Sequence, residues 1–224
     1  MMYQPLWLTF KLALATTLCL LLLGIPIAAV LAKSRSKLKP FLEAIISLPL
    51  VLPPSVLGFY LLLAFSPQNG FGKMLDVAFN IRLLFSFSGL VISSIIYSLP
   101  FMVHPVQAGL EALPASLREA SQTLGKSSWQ TFIKVLLPNI KPALLTGIIL
   151  TFAHTLGEFG LVLMIGGNIP GVTKVASIAI YDEVESLNFS TAHIYAAILM
   201  VVSFVILLTV YLTNKRLNKS RIAT

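Results

Sequence analysis

The sequence predicts an all-α, polytopic membrane protein of about five transmembrane helices, interrupted by one polar two-helix loop. Three observations carry this. First, 57% of the 224 residues are hydrophobic and only 11% are charged, with a mean hydropathy of +0.90. One soluble core cannot bury that much apolar side chain. Second, apolar runs recur at the length of roughly 20 residues that a helix needs to cross the hydrocarbon core. Third, of 16 Lys and Arg residues, twelve sit in three clusters beside apolar runs, which is the pattern that orients membrane helices. The formal net charge of +8 is not arranged as a basic stripe interleaved with aromatics, so the expected partner is the lipid bilayer and no nucleic acid. Cys19 is the single cysteine and lies in an apolar run, which excludes disulfides within the chain, CxxC redox chemistry and thiolate metal sites.

The chain reads as one transmembrane domain, 1–224, with spans at about 12–32, 44–65, 84–103, 143–165 and 193–212. The first apolar run could pass for a secretory signal, but its charges are in the wrong order. Only Lys11 precedes it, whereas Lys33, Arg35, Lys37 and Lys39 follow, so it is expected to stay as a span. The second run opens on SLPLVLPPSVLGFYLLL, where Pro49, Pro53 and Pro54 remove backbone donors and must bend or unwind the helix. Such a break is tolerated at membrane depth only when it is buried in protein or lines a cavity, which places this segment near the centre of the assembly. A short external turn follows through Gly70 and Gly72. In the third span Ser86, Ser88, Gly89, Ser93, Ser94 and Ser98 either allow close helix packing or set some hydroxyls on a polar path. Pro100 and Pro105 are expected to kink it, and His104 is given no role.

The polar stretch at about 111–142 is the one segment here able to fold by itself. Ser116 three residues before Glu119 reads as a capping box, and Leu113, Leu117, Ala120 and Leu124 share a helical face. Gly125 suits a left-handed position just past the helix end. A second helix then starts at Ser127 or Ser128, with Trp129, Phe132, Ile133 and Leu136 as its apolar stripe, and Pro138 turns the chain back. In a soluble protein Glu119 and Gly125 would be ordinary capping residues. Arg118, Lys126, Lys134 and Lys141 lie in this loop, and Lys215, Arg216, Lys219 and Arg221 form the tail. Their excess places the loop and the C-terminus in the cytoplasm and the N-terminus outside.

Inside the fourth span, His154 and Glu158 stand at i and i+4, on one face of a continuous helix. Ionisable residues in a span are costly, so the two form either a structural pair or part of a transport pathway. Beyond it, Val172, Val175, Ala176, Ala179, Ile180 and Val184 share a face of an external helix that ends in Asp182, Glu183 and Glu185. That helix is too short and amphipathic to span, and offers either a landing surface for a partner or a solvated loop.

Glu119, Ala120, Gly125, Val135, Leu137 and Pro138 have the spacing of the EAA loop, E-A-A-x3-G-x9-I-x-L-P, and the chain thereby resembles the permease subunits of bacterial ABC importers. Ser121 stands for the second Ala and Val135 for Ile, and Ser121→Ala is expected to be close to neutral. The segments AHTLGEFG and GNIPGVTKVASIAIY extend the likeness to the molybdate branch, except that His154 stands where members usually have Arg. The resemblance implies the type I ABC importer permease fold. It also implies that the loop is a coupling device, with Glu119, Ala120, Ser121, Leu124, Gly125 and Pro138 at or near the contact with an ATPase. The implied complex is two copies of this subunit, two ATP-binding subunits and an extracytoplasmic molybdate-binding protein in the bacterial inner membrane. Sulfate, thiosulfate and tungstate permeases share much of the pattern. Gly125-Lys126-Ser127 lacks the earlier Gly of a phosphate-binding loop, since Ala120 stands there, and no catalytic constellation is present. The chain is therefore expected to be non-catalytic and to carry no cofactor. A stand-alone channel or secondary carrier is the alternative class, but repeated halves are not evident.

Overall fold

The computed structural model describes residues 3–222, with side chains described except at 210 and 213–222, so the basic side chains of the tail fall outside the description. The described chain is almost wholly helical. In order it forms α1 (Tyr3–Lys33), α2 (Lys39–Val51), α3 (Pro54–Phe65), α4 (Gly70–Phe79), α5 (Phe87–Glu111), α6 (Ala115–Thr123), α7 (Ser128–Thr131), a π-helical turn (Phe132–Leu136), α8 (Leu137–Asn139), α9 (Lys141–Leu156), α10 (Gly160–Gly166), α11 (Ala176–Glu185) and α12 (Phe189–Ile222). Among described residues three helices, α1, α5 and α12, are individually long and apolar enough to cross a bilayer; up to five crossings result if each of two bent pairs counts as one.

The core is the contact of α1, α5 and α9. It is closed by small residues, because a Cβ added at Gly24 would stand 2.7 Å from Met102 Cγ, and one at Gly147 would stand 3.2 Å from its Sδ. Met102, Val103, Val106, Leu20, Ala28 and Ile140 fill the end of the bundle nearest the polar hairpin. Leu8, Leu12, Leu90, Val162, Ile165 and Ile178 fill the other. Hydroxyls line the seam: Ser93, Ser94, Ser98, Thr151 and Thr155 are buried, Ser98 bonds Thr155 at 3.1 Å, and Thr155 bonds the Thr151 carbonyl. Ser98 thus ties α5 to α9, whereas Ser93 bonds the Gly89 and Leu90 carbonyls of its own helix and Ser94 reaches Glu158. Outward, Leu14, Leu22, Val30, Met200, Phe204 and Tyr211 are exposed, as a surface solvated by lipid requires.

Two of the expected spans are broken, the first where its prolines predict a bend and the second where no break was expected. The 44–65 run forms α2 and α3, which meet at 111° around Leu52 and Pro53, because Pro53 and Pro54 remove the donors that would continue the helix. The 143–165 run ends as a helix at Leu156, turns through Gly157, Glu158 and Phe159, and resumes as α10 against α3 and α5. In contrast α5 runs unbroken through Pro100 and Pro105 to Glu111.

Candidate functional site

The hairpin between α5 and α9 is built by local capping. Gly125 has φ +75°, its N–H donates to Gln122 O at 2.9 Å, and Lys126 N–H donates to Ser121 O at 3.2 Å. This is the paired-bond helix stop that a residue without Cβ allows. The next helix opens on a complete capping box, in which the Ser127 hydroxyl accepts from Gln130 N–H and Gln130 Oε1 accepts from Ser127 N–H. The box expected at Ser116 and Glu119 is absent. Pro114 takes the N-cap with extended backbone, so Ser116 falls inside the first turn.

Of the six hairpin residues singled out, Glu119, Ala120, Leu124, Gly125 and Pro138 are exposed, Leu124 by 79%. Trp129 and Ile133 add apolar surface on the second arm. Ser121 is different: it is buried, and its hydroxyl bonds Thr131 Oγ1 at 2.9 Å across the two arms. Pro138 has no N–H to donate to Lys134 O, and just before it the chain widens into the π-turn, where Leu137 N–H reaches Phe132 O. Asn139 Nδ2 donates to Val135 O at 2.8 Å.

His154 and Glu158 do not form the pair that i, i+4 spacing suggested. The helix has ended before Glu158, so the two side chains leave on different courses. The His154 ring stacks on Phe101 at 4.1 Å and lies 4.6 Å from Tyr97, with its Nε2 unpartnered. Glu158 is 4% exposed; Oε2 accepts from Ser94 Oγ at 2.7 Å, its backbone oxygen accepts from Ser177 Oγ at 2.6 Å, and Oε1 has no partner. Both residues nevertheless line one cavity of about 650 Å3, together with Pro54, Ser55, Tyr97 and Phe159. The broken second and fourth spans thus meet at a single space, as irregular backbone at membrane depth requires.

At the end opposite the hairpin, Asp182 accepts from Asn168 Nδ2 at 2.9 and 3.0 Å and pairs with Lys174 at 2.5 Å. Burial acts to raise its pKa, and the Lys174 and Asn168 contacts outweigh that to leave it lowered. Thr9 Oγ1, on α1, accepts from Ala176 N–H and fixes the start of α11.

Sequence reasoning missed a set of polar contacts between α2 and α5. Lys39 Nζ bonds Glu111 Oε1 at 2.8 Å; Gln107 Nε2 donates to Glu43 Oε1 at 2.5 Å and to Glu111 Oε1 at 3.0 Å; Ser47 Oγ lies 3.0 Å from His104 Nε2. The signal was present as polar residues at helical spacing, four apart at 39, 43 and 47 in one run and three and four apart at 104, 107 and 111 in another.

The model of a protein family described as "Binding-protein-dependent transport system inner membrane component" matches residues 21–219. The chain is 45% identical to the molybdenum transport system permease protein ModB of Azotobacter vinelandii, over 93% of this chain and 92% of that one. It is 34% identical to the sulfate transport system permease protein CysT of Escherichia coli, over 88% and 70% respectively. In fold it resembles a chain of the MetNI methionine ABC transporter in an inward-facing conformation, with a TM-score of 0.73 at 18% identity over 96% of this chain and 95% of that one. With a family match over most of its length and an ABC transporter fold, the chain belongs to the inner-membrane components of binding-protein-dependent transport systems.

Proposed function

We propose that this chain is the permease subunit of an ATP-driven importer of molybdate, acting as a homodimer with two ATP-binding subunits and an extracytoplasmic molybdate-binding protein. The observation that carries the reading is the hairpin. A membrane bundle presents exposed Leu124, Trp129 and Ile133 beside Glu119 on a self-capped helix pair, an apolar surface that a cytoplasmic partner would cover. In this reading Glu119, Ala120, Leu124 and Gly125 form the ATPase contact, while Ser121 and Pro138 hold the hairpin's shape. The chain is non-catalytic and carries no cofactor of its own, ATP being bound and hydrolysed by the partner subunits. Higher identity to a molybdenum permease than to a sulfate permease favours molybdate.

The cavity shared by His154 and Glu158 is the transit space. It contains no Lys or Arg, so it offers an oxyanion weak holding, as a path that must release its substrate requires. Discrimination between oxyanions then rests mainly with the binding protein. The basic asymmetry supports an inner-membrane orientation with the N-terminus outside and the hairpin and C-terminus in the cytoplasm.

The test is deletion of the gene in a strain that depends on a molybdenum enzyme. Growth is expected to fail at low molybdate and to return at high molybdate; a requirement for a sulfur source instead would move the substrate to sulfate. For orientation, Gly70→Cys, where an added Cβ meets nothing within 4 Å, is expected to react with an impermeant thiol reagent from outside, and Ser127→Cys is not.

A further inference from the structure

The contacts between α2 and α5 form a ladder. Along α2 the rungs start from Lys39, Glu43 and Ser47, each four residues apart; along α5 they end on Glu111, Gln107 and His104, in the reverse order. Two antiparallel helices are thus joined face to face by three successive polar rungs. Ser47 Oγ also donates to Glu43 O at 2.7 Å, which commits its one proton, so His104 contributes Nε2–H to the third rung. The first rung is fully charged. The Glu111 hydrogen bond raises the Lys39 pKa, and the Lys39 and then the Gln107 bonds lower that of Glu111.

Apolar residues could have closed this seam without the cost of desolvating Gln107, which is 6% exposed and leaves Oε1 without a partner. The apolar anchorage of α2 is slight: Pro49 is its single buried residue, and Ile46 packs part-buried against the core. What the rungs add over an apolar seam is register, because each hydrogen bond has one geometry while an apolar contact can slide. Their position gives register a use. Glu111 ends α5 only four residues before α6 begins the hairpin, and Ser47 stands five residues before the bend at Leu52 and Pro53, which leads directly into Pro54 and Ser55 of the cavity wall.

We propose that Lys39, Glu43 and Ser47 on α2, held in antiparallel register by Glu111, Gln107 and His104 on α5, are positioning residues that join the two helices into one lever delivering hairpin displacement to the bend beside the cavity. This rests on the permease reading above. It goes beyond that reading by naming how the bend is moved.

The test uses the assembled transporter, permease with its ATPase subunits, in proteoliposomes with molybdate-loaded binding protein. Glu43→Leu with Gln107→Leu gives an apolar seam of similar volume. Membrane abundance, ATPase association and basal hydrolysis are expected to stay near wild type, while molybdate taken up per ATP falls about tenfold, within the usual range of coupling energies. A merely structural role would lower abundance and uptake together. Lys39→Glu and Glu111→Lys are each expected to uncouple, and the double exchange to recover most of the loss. Because an apolar seam could fail to assemble, Glu43→Cys with Gln107→Cys in a Cys19→Ala background supplies a second arm. A short cross-linker between the two thiols is expected to raise uptake above the unlinked variant.

Normal coupling in the leucine pair, or uptake blocked by the cross-link, overturns the lever. Absence of ATP-driven molybdate uptake by the wild-type assembly overturns the function reading instead.

Discussion

Two regions of this protein interrupt their helices, and they do so by opposite means. In the hairpin the break after α6 is closed within ten residues, by Gly125 and Lys126 donating to Gln122 and Ser121 and by the reciprocal Ser127 and Gln130 bonds. At the break after α9, Glu158 is held by Ser177 and Ser94, which are 19 and 64 residues away in sequence. The difference follows the solvent. A water-facing helix end competes with hydration for its polar groups and gains from a cap encoded nearby. A break at membrane depth cannot face lipid, so its polar groups depend on the cavity it lines and on whichever helices the fold brings alongside.

The largest expected effect separates the two breaks by their glycines. Gly125→Val forces a β-branched residue to φ +75°, a conformation that costs an ordinary side chain about 1–2 kcal/mol. No heavy atom lies within 4 Å of the added Cβ, so the effect is conformational alone. Under the coupling reading, Gly125→Val and Glu119→Lys should leave the protein inserted and abundant while uptake falls at least about tenfold. Gly125→Asn, whose side chain tolerates this region, should retain most uptake. Gly157→Ala should be tolerated, since φ there is −92° and the nearest atom to its Cβ is 3.9 Å away. Normal uptake in both disruptive variants would falsify the assigned role of the hairpin.

The next effect tests the tertiary break. Glu158→Ala leaves the buried Ser94 hydroxyl without its acceptor, a loss of about 1–3 kcal/mol that should appear as a lower Tm in detergent. Glu158→Gln keeps an acceptor at that position and should lose less. Equal melting of both variants and wild type would show that the break does not depend on this bond.

Ser121→Ala, near neutral for transport on the sequence reading, gives a smaller shift in stability. Alanine is the family residue, but in this chain it strands the buried Thr131 hydroxyl and should cost about 1 kcal/mol. Adding Thr131→Val should recover most of that cost, so a double-mutant cycle with no coupling would remove the bond from the account.

The smallest effect is with pH. Glu111 has its pKa lowered from 4.5, so its contribution is present above that value and is lost as pH falls through the lowered one. Lys39 has its pKa raised from 10.5, so its contribution is lost only as pH rises through the higher value. The Tm difference between wild type and Lys39→Gln should therefore be flat between about pH 5.5 and pH 9.

The sequence by itself determined the membrane class, the helical content, the left-handed stop at Gly125, the second helix starting after Ser127 and the bend at Pro53. Each depends on composition or on a few adjacent residues whose backbone limits are intrinsic. It misplaced one cap, because Ser116 and Glu119 have the right spacing but Pro114 had already fixed where the helix begins. Tertiary structure alone decided that His154 stacks on Phe101 while Glu158 turns to Ser94, that Ser121 meets Thr131, and that α2 and α5 share a ladder of rungs. Those outcomes depend on where a helix stops and which helix lies beside it. In a chain whose apolar residues face lipid and core alike, hydrophobic periodicity does not tell the two apart, so these pairings appear only once the helices are packed.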